Sequence, residues 1–282
     1  MKNLIMRTLT GVVFVALMVG SILYGPLSFG ILFALVTGLS MWEYTGLINQ
    51  RGDVSLNRLI SVVAAVYLFC AFWGYSSGLT PTSGVFIPYV LTLIYLIVSE
   101  LYQERDHTLN NWAYTMFGQI YVALPFSLLS TLGFTVNPLD MTVNYSWILP
   151  LMLYVLLWCS DTGAYCVGSL LGKKINYKLF PSVSPHKSWV GSVGGGLLAV
   201  AVAAVVARWN TTLTPWEWIG FALVVVVFGT WGDLVESLFK RQLNIKDSGN
   251  ILPGHGGMLD RFDSSMMAIP AVVVYLYTLQ LL

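Results

Sequence analysis

Apolar residues in this chain come in long blocks separated by short polar interruptions, near residues 8–27, 28–48, 58–76, 84–101, 112–134, 146–170, 189–207, 216–235 and 264–282. Each block is long enough to cross a bilayer as a helix, which takes roughly 17 to 25 predominantly apolar residues. The pattern predicts an all-α, polytopic integral membrane protein with about nine transmembrane helices. Only the turn Tyr24-Gly25-Pro26 separates the first two blocks, and the sixth holds Asp161 inside it. No internal repeat or low-complexity tract is evident, so residues 1–282 read as one transmembrane domain. Within it, 1–145 supply N-terminal helices, and 146–282 supply helices and polar loops that carry the chemistry.

Composition agrees with the blocks: 56% of residues are hydrophobic and 10% charged, against roughly 25% charged in a soluble domain. Charge placement sets the orientation. With nine spans and a cytoplasmic N-terminus, every one of the fourteen basic residues except Arg208 falls on the cytoplasmic side, as the positive-inside rule requires. The polar loops at about 171–188 and 236–263 then both face the cytoplasm. No basic face interleaved with exposed aromatics is present, which excludes a nucleic-acid partner. Lys2 and Arg7 precede an apolar run of full spanning length without a clear small-x-small cleavage site, so the first helix is expected to stay uncleaved. Cys70, Cys159 and Cys166 lack CxxC spacing and lie in apolar runs, which predicts inert buried thiols. Asn144-Tyr145-Ser146 and Asn210-Thr211-Thr212 match the glycosylation triplet on the non-cytoplasmic side, a pattern short enough to arise by chance.

Three polar clusters stand out against this background. Ser160-Asp161-Thr162-Gly163-Ala164-Tyr165 lies within the sixth block, where an ionised carboxylate costs roughly 2.5 to 3.5 kcal/mol even on a lenient insertion scale. Such a group belongs in a wet functional cavity or bonded to neighbouring helices. The second cluster runs from Gly172-Lys173-Lys174 through Ser184-Pro185-His186-Lys187-Ser188-Trp189 to Gly191 and Gly194-Gly195-Gly196. Small residues, hydroxyls and lysines ahead of a helix can offer backbone N–H groups and point charges to phosphate. Lysines beside a membrane also serve topology or anionic lipids, and a glycine run also serves close helix packing. Lys187, framed by Ser184, Pro185 and Ser188, is the better functional candidate.

The third cluster extends from Gly229 to Asp263. Between Ser237 and Asp263 it holds seven charged side chains, a histidine and four glycines between two apolar blocks. Asp233, Glu236 and Lys240 follow i, i+3, i+7, and Asp260 and Asp263 follow i, i+3, so each set shares a helix face. A re-entrant loop would bring the carboxylates ending one helix to those beginning the next. Carboxylates gathered this way suit magnesium, whereas iron or zinc would call for more histidine than His255. Lys240, Arg241, Lys246 and Arg261 can neutralise phosphate oxygens. The structural alternative is a set of charge-paired helix ends, such as Asp233 with Lys240 and Asp260 with Arg261, with Pro253-Gly254-His255 shaping a turn.

The run S-x-x-K-R-x(4)-K-D-x(5)-P-G-H-G-G-x-x-D-R-x-D, from Ser237 to Asp263, resembles the signature of the phosphatidate cytidylyltransferases, also called CDP-diacylglycerol synthases. Ser160-Asp161-Thr162-Gly163-Ala164-Tyr165 and Ser184-Pro185-x-Lys187-Ser188-Trp189-x-Gly191 resemble two further motifs of that family, in the same order. The resemblance is close over roughly residues 155–265 and extends to the N-terminal half only in hydropathy. It implies a polytopic enzyme that joins CTP to phosphatidic acid, giving CDP-diacylglycerol and pyrophosphate, with Mg2+ and a second cation, K+. It further implies Asp233 and Asp260 as the metal carboxylates, supported by Asp263 and Asp161. Asp233, Asp260, Lys240 and Lys187 would be catalytic, and Ser184, Lys187, Ser237, Lys240, Arg241, Lys246, His255 and Arg261 would bind substrate. Two positions depart from the family pattern: Val190 stands where an acidic residue is common, and Ser169 where a basic one is.

The residue types suit that reaction. A phosphate monoester attacking the α-phosphorus of CTP is already anionic, so the task is to bring polyanions together and stabilise the departing pyrophosphate. The reacting centre is expected in a cytoplasmic-facing membrane cavity lined by the sixth to ninth spans. A CTP-dependent polyprenol or lipid kinase would use the same residue types, with attack at the γ-phosphorus. A cation-coupled transporter would also hold intramembrane carboxylates, but no inverted repeat is apparent. A compact chain of this kind fits a bacterial inner membrane, and a homodimer is the base-rate expectation for assembly.

Overall fold

The computed structural model describes residues 2–137, 139–172, 177–249, 251, 254 and 256–281. Among the described residues the chain forms nine helices: α1 Lys2–Tyr24, α2 Pro26–Ile48, α3 Arg58–Ser76, α4 Ser83–Tyr102, α5 Thr108–Leu132, α6 Ile148–Leu171, α7 Trp189–Val206, α8 Pro215–Gln242 and α9 Leu259–Thr278. Seven of them, α2 to α8, are long and apolar enough to cross a membrane, and α1 carries a shorter apolar stretch, Thr8–Tyr24. The apolar blocks of the sequence thus each became one helix of an all-α membrane protein. Two small antiparallel hairpins were not foreseen: β1 Phe134–Val136 with β2 Val143–Tyr145, and β3 Lys178–Phe180 with β4 Ser184–Ser188.

Helix ends follow local chemistry. Gly25, at φ 151°, takes a backbone conformation that side chains disfavour, and Pro26 then opens α2 at a position where its missing N–H costs nothing. Asn57 caps α3 by accepting from the Ile60 N–H at 3.2 Å. Thr214 and Glu217 form a reciprocal capping box at the start of α8, again with proline next in line. α8 continues past its apolar block through Glu236 and Lys240 to Gln242, so the second polar loop is shorter than the expected 236–263. Lys240 bonds Glu236 at 2.7 Å one turn back, and basic residues in a last turn favour its continuation.

The chain groups into two compact units, Met1–Ile148 with Ile245–Phe262, and Leu149–Asn244 with Asp263–Leu282. In the first, aromatic side chains fill the core. The Phe262 ring lies 5.7 Å from that of Phe14, 6.4 Å from Phe33 and 5.3 Å from Phe126. Tyr145 on β2 packs against Phe29 and Phe134 and donates its hydroxyl to the Ile22 carbonyl at 2.8 Å. α5 widens into a π-helical turn at Gln119–Ala123 just before Pro125, and Gln119 donates to the Ser61 carbonyl at 2.9 Å. α4 is largely exposed, as a lipid-facing helix can be.

In the second unit glycines let backbones touch. A Cβ on Gly163 of α6 would stand 2.9 Å from the Gly195 Cα and 3.0 Å from the Gly194 carbonyl oxygen of α7. A Cβ on Gly232 of α8 would meet the Asp263 and Ser264 carbonyl oxygens of α9 at 2.6 and 2.9 Å. The run Gly194-Gly195-Gly196 therefore lies inside α7, where its first two residues serve close packing, the structural alternative read for it. Trp218 and Phe221, fully buried and edge to face at 5.6 Å, anchor the far end of α8. The cysteines depart from expectation: Cys70 and Cys166 are exposed and Cys159 intermediate. Apolar residues of a spanning helix can face lipid as well as the core, and Cys70 and Cys166 sit on such outward faces.

Candidate active site

A cavity of about 540 Å³ opens within the second unit. α6 contributes Ser160, Asp161, Tyr165 and Ser169; β4 contributes His186 and Lys187; α7, α8 and α9 contribute Ser192, Thr230 and Ser264 among others. Leu157, Ala164, Val226 and Gly229 give it an apolar side. One cavity thus offers both charge and hydrocarbon, and its walls come from the four helices expected to line it.

The β3–β4 hairpin places the lysine. Its register pairs Lys178 with Ser188 and Phe180 with Ser184, and the Trp189 N–H donates to the Tyr177 carbonyl at 3.0 Å. Ser188 then caps α7, its hydroxyl accepting from the Gly191 N–H at 3.2 Å. Lys187, one residue earlier, forms an ion pair with Asp233 of α8. The Ser237 hydroxyl, one turn along α8, donates to the other Asp233 oxygen at 3.2 Å. Asp263 opens the α9 portion of the unit and accepts from the Ser264 N–H at 2.5 Å.

Asp161, Asp233 and Asp263 interact electrostatically with one another, and Lys187 offsets part of that repulsion. The donor set is therefore carboxylate oxygen, the chemistry a hard divalent cation such as magnesium takes, and a lysine ammonium already occupies the face of Asp233. Among the described residues no group of three or more His, Cys, Asp or Glu side chains is drawn together as a metal cage. Magnesium commonly uses one or two carboxylates and completes its shell with water and phosphate, so a preformed cage is not required.

Of the residues singled out from the sequence, Asp161, Ser184, Lys187, Asp233, Ser237, Lys240, Arg241 and Asp263 belong to this unit. Ser184 sits on β4 as the partner of Phe180. Lys240 bonds Glu236, so the sequence-level pairing of Asp233 with Lys240 is replaced by two other pairs. Ser169, one of the departures from the family pattern, lines the cavity; Val190 is the second residue of α7.

Lys246, Asp260 and Arg261 belong to the first unit, with Lys246 and Arg261 exposed. There Asp260 organises its own loop: one of its oxygens accepts from the Ser248 N–H at 2.9 Å and the Gly257 N–H at 2.8 Å. His255, Pro253, Lys173 and Lys174 lie outside the described residues. Sequence reasoning missed Glu43, a buried carboxylate on α2 that accepts from the Leu259 N–H at 2.9 Å. The signal was available, because Glu43 is the lone charge in the block 28–48, the argument that singled out Asp161.

Comparison with known proteins bears on this arrangement. A sequence model described as the cytidylyltransferase family matches residues 5–279. A phosphatidate cytidylyltransferase of Bacillus subtilis (strain 168) is 31% identical over 275 residues, 96% of this chain and 96% of that protein. Proteins of the same name from Staphylococcus aureus (strain COL) and Staphylococcus epidermidis are 42% and 44% identical over 127 residues, 45% of this chain. Those matches span about half the length of the staphylococcal relatives, 48% of each.

Proposed function

The chain belongs to the cytidylyltransferase family, and on that premise we propose that it transfers a cytidylyl group from CTP to phosphatidic acid in a membrane, giving CDP-diacylglycerol and pyrophosphate. The observation that carries the reading is the Lys187–Asp233 ion pair beside a cavity with a charged side and an apolar side. A diacyl lipid needs both, its phosphate among charges and its glycerol and upper acyl carbons against Leu157, Ala164 and Val226.

In the reaction an oxygen of the phosphatidate monoester attacks the α-phosphorus of CTP. The bond from that phosphorus to the bridging oxygen breaks, and pyrophosphate leaves with the electron pair. The nucleophile is anionic near neutral pH, so no side chain has to remove a proton. Lys187 offers an ammonium to phosphate oxygens at the cavity wall, and the Ser188 cap leaves the first turn of α7, with its positive dipole end, facing the same side. Asp233, with Asp161 and Asp263, would hold magnesium, which supplies charge neutralisation on the triphosphate. Ser237 orients the Asp233 carboxylate through its hydroxyl. Lys240, Arg241, Lys246, Asp260 and Arg261 enter as contributors on the strength of the motif. The lysine- and arginine-rich loops favour a cytoplasmic reaction face in a bacterial inner membrane.

The test is pyrophosphate release by the purified protein with CTP, phosphatidic acid and magnesium, beside an Asp233→Asn variant and a reaction without lipid. Release that requires lipid, metal and Asp233 supports the reading. CDP formed without pyrophosphate would instead mark a lipid kinase.

A further inference from the structure

The signature loop is built around a carboxylate from the other end of the sequence. Glu43, near the C-terminal end of α2, is 6% exposed. Its Oε2 accepts from the Leu259 N–H at 2.9 Å and from the Ser248 hydroxyl at 3.4 Å. Leu259 is the first residue of α9, so Glu43 satisfies an N–H that has no partner within the helix. The loop leaves space for this carboxylate with two glycines. A Cβ on Gly249 would stand 2.5 Å from Glu43 Oε1, and one on Gly257 would stand 2.5 and 2.7 Å from its two oxygens.

The same loop positions are held a second time. Asp260 accepts from the N–H groups of Ser248 and Gly257, so Ser248 bonds one carboxylate through its backbone and the other through its hydroxyl. Glu43 acts on the residues flanking Asp260 without reaching Asp260 through a hydrogen bond of its own. We propose that Glu43 is a positioning residue for cytidylyl transfer: by fixing Ser248 and the first N–H of α9 it sets the placement of Asp260 and the loop that carries Lys246. This rests on the cytidylyltransferase reading given above. The function requires a hydrogen-bond acceptor at Glu43 rather than a charge, because both contacts are made by donors to its oxygen.

The experiment compares wild-type protein with Glu43→Ala, Glu43→Gln, Gly249→Ala and the Glu43→Ala/Gly249→Ala pair, measuring kcat and both KM values, thermal unfolding, and amide hydrogen exchange at Ser248, Gly257 and Leu259. Glu43→Ala is expected to lower kcat by about thirtyfold or more with KM values within about threefold, and to speed exchange at those three amides. Glu43→Gln, whose amide oxygen can still accept the Leu259 N–H, should stay within about threefold of wild type. Gly249→Ala pushes on the carboxylate from the loop side and should lower kcat about tenfold. In the Glu43→Ala background it should change kcat less than about twofold, because the group it strikes is gone. Wild-type kcat in Glu43→Ala, or losses that simply add in the pair, would overturn the proposal. If Glu43→Ala does not fold, Gly249→Ala and Glu43→Gln decide it: wild-type kcat in the first, or loss in the second equal to the first, overturns it. A wild-type protein with no cytidylyl transfer but with faster loop exchange in Glu43→Ala would retain the clamp and remove the functional reading.

Discussion

Lys187 and Asp233 face each other across the gap between a β-hairpin and helix α8, paired directly, with 26% and 28% of their side chains exposed. Partial exposure leaves each group within reach of a third ion. The pair is a poor structural fastener and a good place to exchange partners with a polyanion.

Lys187→Ala should therefore cost catalysis much more than stability. Turnover is expected to fall about 100-fold or more, on the scale of losing one group that stabilises developing charge. A partly exposed ion pair contributes only about 0–1 kcal/mol to folding, so the melting temperature in detergent should move by a few degrees at most. A variant that melts far earlier yet turns over normally when cold would show that the pair is structural.

Asp233→Asn removes charge while keeping shape and the bond from Ser237. Turnover should fall by orders of magnitude, and the residual rate should need about tenfold or more magnesium to reach half its maximum. A magnesium titration of initial rate reads this directly, and an unchanged curve would place the metal elsewhere.

Gly163→Ala tests the close approach of α6 and α7. Its new methyl would press on the Gly195 Cα and Gly194 carbonyl oxygen, which are backbone and cannot rotate away. A loss of about 1–3 kcal/mol is expected, as for overpacking elsewhere. Gly20→Ala in α1 is the control, because nothing stands within 4 Å of its added methyl. It should be neutral or stabilising by up to about 1 kcal/mol through helix propensity. Thermal unfolding of the two proteins side by side separates these outcomes.

Thr214→Ala breaks the capping box, in which the Thr214 N–H donates to Glu217 at 2.7 Å and the Glu217 N–H donates back at 3.4 Å. It should lower stability by about 1 kcal/mol and leave kcat unchanged, since the cap lies at the end of α8 opposite Asp233. A change in kcat at constant melting temperature would contradict this.

The helices were legible because a bilayer imposes one length on every apolar block, and blocks 58–76 and 189–207 became α3 and α7 almost to the residue. Boundaries failed where polarity and helicity part company. α5 begins at Thr108, four residues before its apolar block, and α8 carries charges for two turns beyond its own. Asp161, Lys187 and Asp233 were singled out from the sequence because charge is costly in an apolar run or conspicuous beside a helix start. The pairing of Lys187 with Asp233 was not legible, since Lys187 sits on a hairpin whose strands of three and five residues give almost no periodic signal. Glu43 stood out only as the lone charge of its block; its partners, the Ser248 hydroxyl and the Leu259 N–H, lie 205 and 216 positions away, and no local motif links them to it.

Glu43 and Leu259 are 216 positions apart in the chain, and that distance has a bearing on how the protein is made. Synthesis runs from the N-terminus at about 5–20 residues per second, so α2 is in place well before Leu259 is translated. Until then Glu43 lacks those donors, and the ring of Phe262 is missing from among Phe14, Phe33 and Phe126. The oldest part of the molecule is thus the last to mature. A chain cut short before residue 245 would carry α1 to α8 complete, yet leave the interior formed by α1 to α5 unfinished, and a premature stop late in the gene would be felt first in the segment translated earliest.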